Sequence, residues 1–352
     1  MQVVLETIFS YSGGYNYRNR QVCFEFRQLA PEINFWVYLD QLIQDKREPE
    51  FEVNRGVVQI ALDKGLLSLL SVCKIHELGK DYIPENLCEL AAEKDNLQLL
   101  KWAMNEGYVY CGKEYTHAIQ NDNLEMVKWL AENDCSYDEY TCCFAAAKGR
   151  LEILKYFGEE RCPWDTSICS LAADIGNLEM LQWARSKGFP WIKDVCTYAA
   201  EKGHLEVLQW ARANGCDWDE STCSYAALNG HLEIIQWARA NHCPWNEEVC
   251  SFAAEKGHLE IVQWALDNHC PIDETACSGA SCGNLNILQW LRERGYPWNE
   301  DTCSNAAWSG HLEVLQWARA NGCPWDRETS HVARLNGHTE LLQWALDNGC
   351  PE

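Results

Sequence analysis

The sequence predicts an all-α solenoid of stacked helix pairs, and three observations carry that expectation. The phrase G-H-L-E, or a near variant, recurs down most of the chain at a fixed step, with an aromatic five residues past its Leu. The 352 residues include seventeen Trp, a count that points to internal duplication. Within one step, two short apolar patterns at helical spacing are separated by Asn, Gly and Pro turn signals, and neither is long enough to be stable alone.

Residues 1–50 come first and stand outside the repeat. V-L-E-T-I-F-S-Y at Val4–Tyr11 leads through a Gly-rich turn to R-Q-V-C-F-E-F-R-Q-L-A at Arg20–Ala30, and then to Phe35-Trp36. This segment resembles the F-box through Val4, Leu5, Ile8, Phe9, Val22, Cys23, Phe26, Arg27, Leu29 and Trp36. The opening Leu-Pro of that pattern would fall at or before Met1, and its middle Leu-Leu is replaced by Tyr15-Asn16-Tyr17. The resemblance implies that Val4, Leu5, Ile8, Phe9, Val22, Cys23, Phe26 and Leu29 dock a Skp1-type adaptor of a cullin ubiquitin ligase. The missing features touch that docking surface. The other reading is a plain helical cap over the open end of the solenoid.

Residues 51–85 hold I-A-L-D-K-G-L-L-S-L-L around Gly65 and Leu67, which reads as a degenerate first copy, irregular as terminal copies are. From residue 86 the register is regular. Its anchor Leu stands at 97, 124, 151, 178, 205, 232, 259, 285 and 312, with Thr339 in the last copy. Every step is 27 residues except the 26 from Leu259 to Leu285. The aromatics are Trp102, Trp129, Tyr156, Trp183, Trp210, Trp237, Trp264, Trp290, Trp317 and Trp344.

Residues 220–246 show what one copy does. Glu220 to Leu228 reads as a first helix, with Asp219 placed to accept from its free amides. Asn229-Gly230 is a turn, and His231 to Ala240 a second helix with Leu232, Ile234, Ile235 and Trp237 as its apolar side. Pro244 prevents its continuation. Each pair must bury its apolar face against its neighbours, which is the logic of a solenoid.

The phrase A-A-L-N-G-H-L-E-I-I-Q-W resembles the ankyrin repeat over residues 86–352. Ala226-Ala227 fall on its Ala-Ala pair, Trp237 on a second-helix Leu, and Cys223 on the Leu of T-P-L-H. Ser221-Thr222-Cys223-Ser224 replaces T-P-L-H itself, and the six residues lost from the family's 33-residue period fall between Asn246 and Glu248, where the family carries its β-hairpin finger. The resemblance implies about eleven helix pairs with fingers reduced or absent, similar to the Trp-rich short repeats of protists and large DNA viruses. It also implies an interaction module, expected to be monomeric.

Several patterns that suggest chemistry fall inside the repeat. Cys135/Cys142, Cys162/Cys169, Cys216/Cys223, Cys243/Cys250 and Cys270/Cys277 recur beside His204, His231, His258, His311 and His338. Zinc needs four convergent ligands at close spacing, whereas a Cys at an apolar repeat position acts as a small hydrophobe. The expectation is core Cys, His in turn hydrogen bonds, and no metal, cofactor or catalytic residue. All periodic Cys are expected to be reduced thiols, fitting a reducing cytoplasm, or a host cytoplasm if the source is viral. The N-terminal stretch lacks a basic region and a cleavage site, so no secretory signal is expected. A metal- or redox-responsive thiol protein is a further, less favoured reading, and a plain scaffold or decoy without ligase link is another.

Acids number 52 against 29 bases, a net charge of −23, which argues against nucleic-acid and anionic-membrane partners and leaves a basic protein partner open. Where that partner sits follows from the register. The residue four before each anchor ends the first helix and varies: Glu93, Gln120, Ala147, Asp174, Glu201, Leu228, Glu255, Ser281, Trp308 and Leu335. Glu201, Leu228, Glu255, Trp308 and Leu335 are therefore the expected partner-binding residues. Trp308 either fills a gap beside the short copy or anchors the partner as an exposed aromatic.

Overall fold

The computed structural model describes residues 34–159 and 167–352. The F-box-like positions from Val4 to Leu29 lie outside those residues. Every regular element described is a helix. The chain divides into two compact units, described over residues 34–145 with 152–159 and residues 146–151 with 167–352.

The first unit opens with α1 (Phe35–Gln44), whose N-terminus is capped by the Asn34 side chain accepting from the Val37 amide. The pair α2 (Arg55–Lys64) and α3 (Leu67–Ile75) forms the degenerate copy. α2 is capped by Asn54 and ends at Gly65 with φ of 64°, a left-handed conformation that glycine adopts without steric cost. α3 has no capping side chain of its own at Leu66. Asp40 of α1 supplies the acceptor instead, taking the Leu69 amide at 2.7 Å. A short turn of helix, α4 (Glu77–Lys80), leads to α5 (Leu87–Glu93), α6 (Leu97–Asn105), α7 (Lys113–Gln120) and α8 (Leu124–Glu132). The buried side chains include Leu99, Leu100, Ile119, Met126 and Leu130, together with Tyr115 and Phe157. Tyr115 occupies the register position that holds Cys in most copies. Its hydroxyl donates to the Cys135 carbonyl at 3.0 Å, so the larger side chain is buried without an unsatisfied polar atom. α9 (Glu139–Ala147) and α10 (Leu151–Glu159) complete this stretch.

The second unit is a run of helix pairs: α11 (Ser167–Asp174) with α12 (Leu178–Ser186), α13 (Asp194–Glu201) with α14 (Leu205–Ala213), and α15 (Glu220–Leu228) with α16 (Leu232–Ala240). They continue as α17 (Glu248–Lys256) with α18 (Leu259–Asp267), α19 (Thr275–Ala280) with α20 (Leu285–Glu293), α21 (Glu300–Trp308) with α22 (Leu312–Ala320), and α23 (Arg327–Leu335) with α24 (Thr339–Asp347). The expected first helix and its cap are found in α15, where Asp219 accepts from the Ser221 amide.

The first helices bury mostly small side chains, as Cys223, Ala226 and Ala227 do in α15 at i, i+3 and i+4, with a single larger residue such as Val195 or Val249 in some copies. They release little apolar area and let successive first helices approach closely. In the short copy this becomes a requirement: a Cβ on Gly279 would lie 2.6 Å from the Ser251 carbonyl oxygen of α17. The larger apolar side chains come from the second helices, where Ile234, Ile235 and Ala238 are buried in α16. A fully buried Ile or Val contributes about 1.5–3 kcal/mol, so these carry most of the hydrophobic stabilisation.

The periodic Trp are not part of that core. Trp237 flanks the stripe formed by Ile234, Ile235 and Ala238 and is half-buried, and Trp210 is placed likewise in α14. Trp210 lies edge-on to Trp191 at 5.9 Å, and the same T-shaped pair recurs as Trp218/Trp237, Trp245/Trp264, Trp298/Trp317 and Trp325/Trp344. Arg212 stacks over Trp218 at 4.1 Å and donates to the Cys216 carbonyl, tying the loop after α14 to the helix before it.

The periodic His also act differently from the expected local turn. His204, His231 and His338 donate through Nε2 to the carbonyls of Asp174, Glu201 and Trp308 at 3.0–3.1 Å. Each acceptor is the last residue of the preceding copy's first helix, so the bond staples neighbouring copies and satisfies a free helix-terminal carbonyl. Where Asn284 replaces His, its amide does the same for Ala254 and Glu255.

Candidate partner-binding face

The first helices place three aromatics in register on the second unit: Tyr198, Tyr225 and Phe252 stand seven residues before their anchors. They follow the buried Cys of each helix by two and so leave the buried side. Tyr198 and Tyr225 are exposed, and Tyr225 packs on Phe252 with ring centres 6.2 Å apart. Between α13 and α15 lies an open cleft of about 320 Å³, lined by Tyr198, Tyr225, Asp194, Glu201, Asp219 and Lys193 among others.

The charges of this cleft are partly spent within it. Lys193 pairs with Asp219, and Lys202 pairs with Glu201 at 2.8 Å. Burial pushes the Asp219 carboxyl up, but the Lys193 ammonium and the Ser221 hydrogen bond outweigh it and hold the group below its usual value. Asp219 is therefore a carboxylate at neutral pH and serves both as helix cap and as ion-pair partner.

The expected partner-binding residues fall at the ends of these same helices. Glu201 lines the cleft one helical turn from Tyr198. Leu228 is half-buried at the end of α15, and Glu255 pairs with Lys256 at 2.9 Å. Trp308 and Leu335 end the consecutive first helices α21 and α23 and are 54% and 66% exposed. A gap-filling side chain would be covered, and Trp308 is not. Sequence reasoning missed Tyr198, Tyr225 and Phe252. Their signal was an aromatic recurring at the 27-residue step in helices otherwise made of small residues.

The paired-Cys pattern takes a different form from the seven-residue spacing. Thiol contacts join Cys196 to Cys216, Cys223 to Cys243, Cys250 to Cys270 and Cys303 to Cys323, each within one copy. Cys142 is disulfide-bonded, which corrects at that position the expectation that every periodic Cys is reduced. Among the described residues no three His, Cys, Asp or Glu side chains are grouped to hold a metal ion, and no helix is long and apolar enough to cross a membrane.

Comparison with known proteins agrees with this architecture at one place. No curated protein matches the chain. The crystal structure of the human ASB11 ankyrin repeat domain is similar at 18% identity, covering 47% of this chain and 85% of that one, with a TM-score of 0.36. Residues 196–239 match the family described as ankyrin repeats (many copies), a span running from Cys196 in α13 to Arg239 in α16, so the match falls on two consecutive helix pairs.

Proposed function

We propose that the chain is a protein-interaction adaptor whose repeats hold a protein partner against the exposed ends and faces of the first helices. The observation that carries this reading is that Tyr198, Tyr225, Trp308 and Leu335 are exposed on helices whose buried sides are filled mostly by small residues such as Ala, Cys, Ser and Thr. Exposed aromatics of this kind dominate interface energies. Glu201, Leu228 and Glu255 complete the face. A basic partner fits it, because residues 167–352 hold 25 acids against 12 bases and the tyrosines sit among carboxylates. The whole of residues 86–352 acts as the repeat domain in this proposal, with 51–85 as its irregular first copy.

The segment 1–50, through its F-box-like Val4, Leu5, Ile8 and Phe9, recruits a Skp1-type adaptor, making the chain a substrate receptor of a ubiquitin ligase in the cytoplasm. The losses at Tyr15-Asn16-Tyr17 favour a second reading, a plain scaffold with no ligase link. Proximity labelling in the native cell, with wild type beside Trp308→Ala and Tyr198→Ala/Tyr225→Ala, tests the face: partners lost from the variants support it, and an unchanged partner set refutes it. Co-purification of the full chain with a Skp1-type adaptor, abolished by Ile8→Asp/Phe9→Asp, tests the ligase arm. Absence of the adaptor from the wild-type sample leaves the scaffold reading standing.

A further inference from the structure

Four copies bring a first-helix thiol against a thiol from the loop after the second helix. The pairs are Cys196/Cys216, Cys223/Cys243, Cys250/Cys270 and Cys303/Cys323, each twenty residues apart. All eight are free and buried, and the two thiols of each pair interact with each other. The loop thiol also points at the backbone before its own first helix: Cys216 donates to Ile192 at 3.5 Å, Cys243 to Asp219 at 3.4 Å, Cys270 to Asn246 at 3.3 Å and Cys323 to Asn299 at 3.4 Å. The loop sulfur is thereby held in the same place in all four of these copies.

Two thiols without a third ligand do not make a zinc site, and the described residues supply no third. They do make the two ends of a disulfide. Cys142 stands at the register position of Cys196, Cys223, Cys250 and Cys303, nine residues before its anchor, and it is disulfide-bonded. Other copies break the pair in sequence. Cys169 has Phe189 at the second position, Cys277 has Tyr296, and Cys350 has Ser330 at the first. These copies are internal controls.

We propose that the four pairs are oxidation sites that close into intra-copy disulfides by exchange with a small-molecule disulfide. One protein thiol, on losing its proton, attacks a sulfur of the small disulfide, forms a mixed disulfide and expels the first small thiol, which takes up that proton. The second protein thiol loses its proton and attacks the protein sulfur of the mixed disulfide, releasing the second small thiol. Two protein S–H bonds and one small-molecule S–S bond are lost. One protein S–S bond and two small-molecule S–H bonds are formed, and each pair gives up two electrons. Because each bridge lies within one copy, closure leaves the junctions between copies untouched.

The buried pairs react only when their copy opens, since the thiolate is the attacking species. All eight thiols are buried, so a small disulfide reaches them only through such opening. Closure is therefore slow in the resting protein and fast where a copy is loosened.

The test incubates the full chain with oxidised glutathione, in buffer and in urea just below the unfolding midpoint. Unreacted thiols are then trapped by alkylation, and linked peptides are mapped. The expected result is loss of two hydrogens per closed pair and peptides joining Cys196 to Cys216, Cys223 to Cys243, Cys250 to Cys270 and Cys303 to Cys323. Closure is expected faster in urea, with Cys169, Cys277 and Cys350 alkylated. In Cys243→Ala one bridge should vanish, the other three should persist, and Cys223 should be alkylated. Links between neighbouring copies, such as Cys216 to Cys223, or complete alkylation of all eight thiols even in urea, would overturn the proposal. If Cys243→Ala does not fold, the wild-type peptide map decides alone.

Discussion

Gly203→Ala should cost more than the backbone alone can account for. Gly203 has φ of 84°, and a Cβ built there lies 2.8 Å from Cε1 of His231 in the next copy. Forcing an L-residue into the left-handed region costs about 1–2 kcal/mol. The methyl also drives His231 off the Glu201 carbonyl, a 3.1 Å hydrogen bond whose loss adds about 1 kcal/mol. The expected total is ~2–3 kcal/mol. Gly337→Ala is the matched control, with φ of 74° and nothing within 4 Å of the added carbon, so it should show the backbone part only. Urea titrations followed by far-UV circular dichroism would compare the two. In Gly203→Ala/His231→Ala the clash is gone, so the pair should fall short of additivity by about 1 kcal/mol. Equal costs at Gly203 and Gly337, or an additive double variant, would refute the staple.

Trp308→Ala should leave the melting temperature nearly unchanged while weakening partner binding by ~2 kcal/mol or more, read by titration calorimetry once a partner is in hand. Trp210→Ala should cost about 1–2 kcal/mol in urea titration, less than the ~3–5 of a buried aromatic, because its ring makes an edge contact from a half-buried position. Asp219→Asn should unfold within about 1 kcal/mol of wild type at neutral pH, since Asn also caps. A carboxyl held below its ordinary 3.8 in the folded state adds stability that is present above that value and lost as pH falls through the folded one. The variant's acid unfolding limb should accordingly be shallower than the wild type's below about pH 4. A parallel limb would remove Asp219 from that account.

Helix positions were legible from the sequence because each depends on local signals. The pattern around Glu220–Leu228, with Asp219 before it, needs only helical spacing and a cap. What was not legible depends on which side a residue turns when its neighbour arrives. Leu232, Ile234, Ile235 and Trp237 share a helical stripe on paper, but only Ile234 and Ile235 are buried, since Trp237 leans out over Trp218. Likewise the Cys pairing at twenty residues, rather than seven, follows from the second helix folding back along the first, which no spacing rule within one helix reveals. The ends of the first helices were identified as the varying positions, yet Tyr198 and Tyr225 one turn earlier went unnoticed because they alternate with residues of the core.

The glycine-and-histidine junction makes the copies behave as interchangeable parts. Where the histidine is present, as at His204, His231 and His338, a copy offers the next a glycine socket and a helix-end carbonyl, and the next answers with one ring. Excising residues 205–231 as a block would join His204 to Leu232 and leave His258 facing Gly203 in the place of Gly230. The same socket would receive the same ring. Gene-level gain or loss of 27-residue units can thus lengthen or shorten the repeat region without new compensating substitutions, while the residues on the exposed face are reshuffled with each exchange. Recombination, more than point mutation, is the cheap route to a new partner in such a chain.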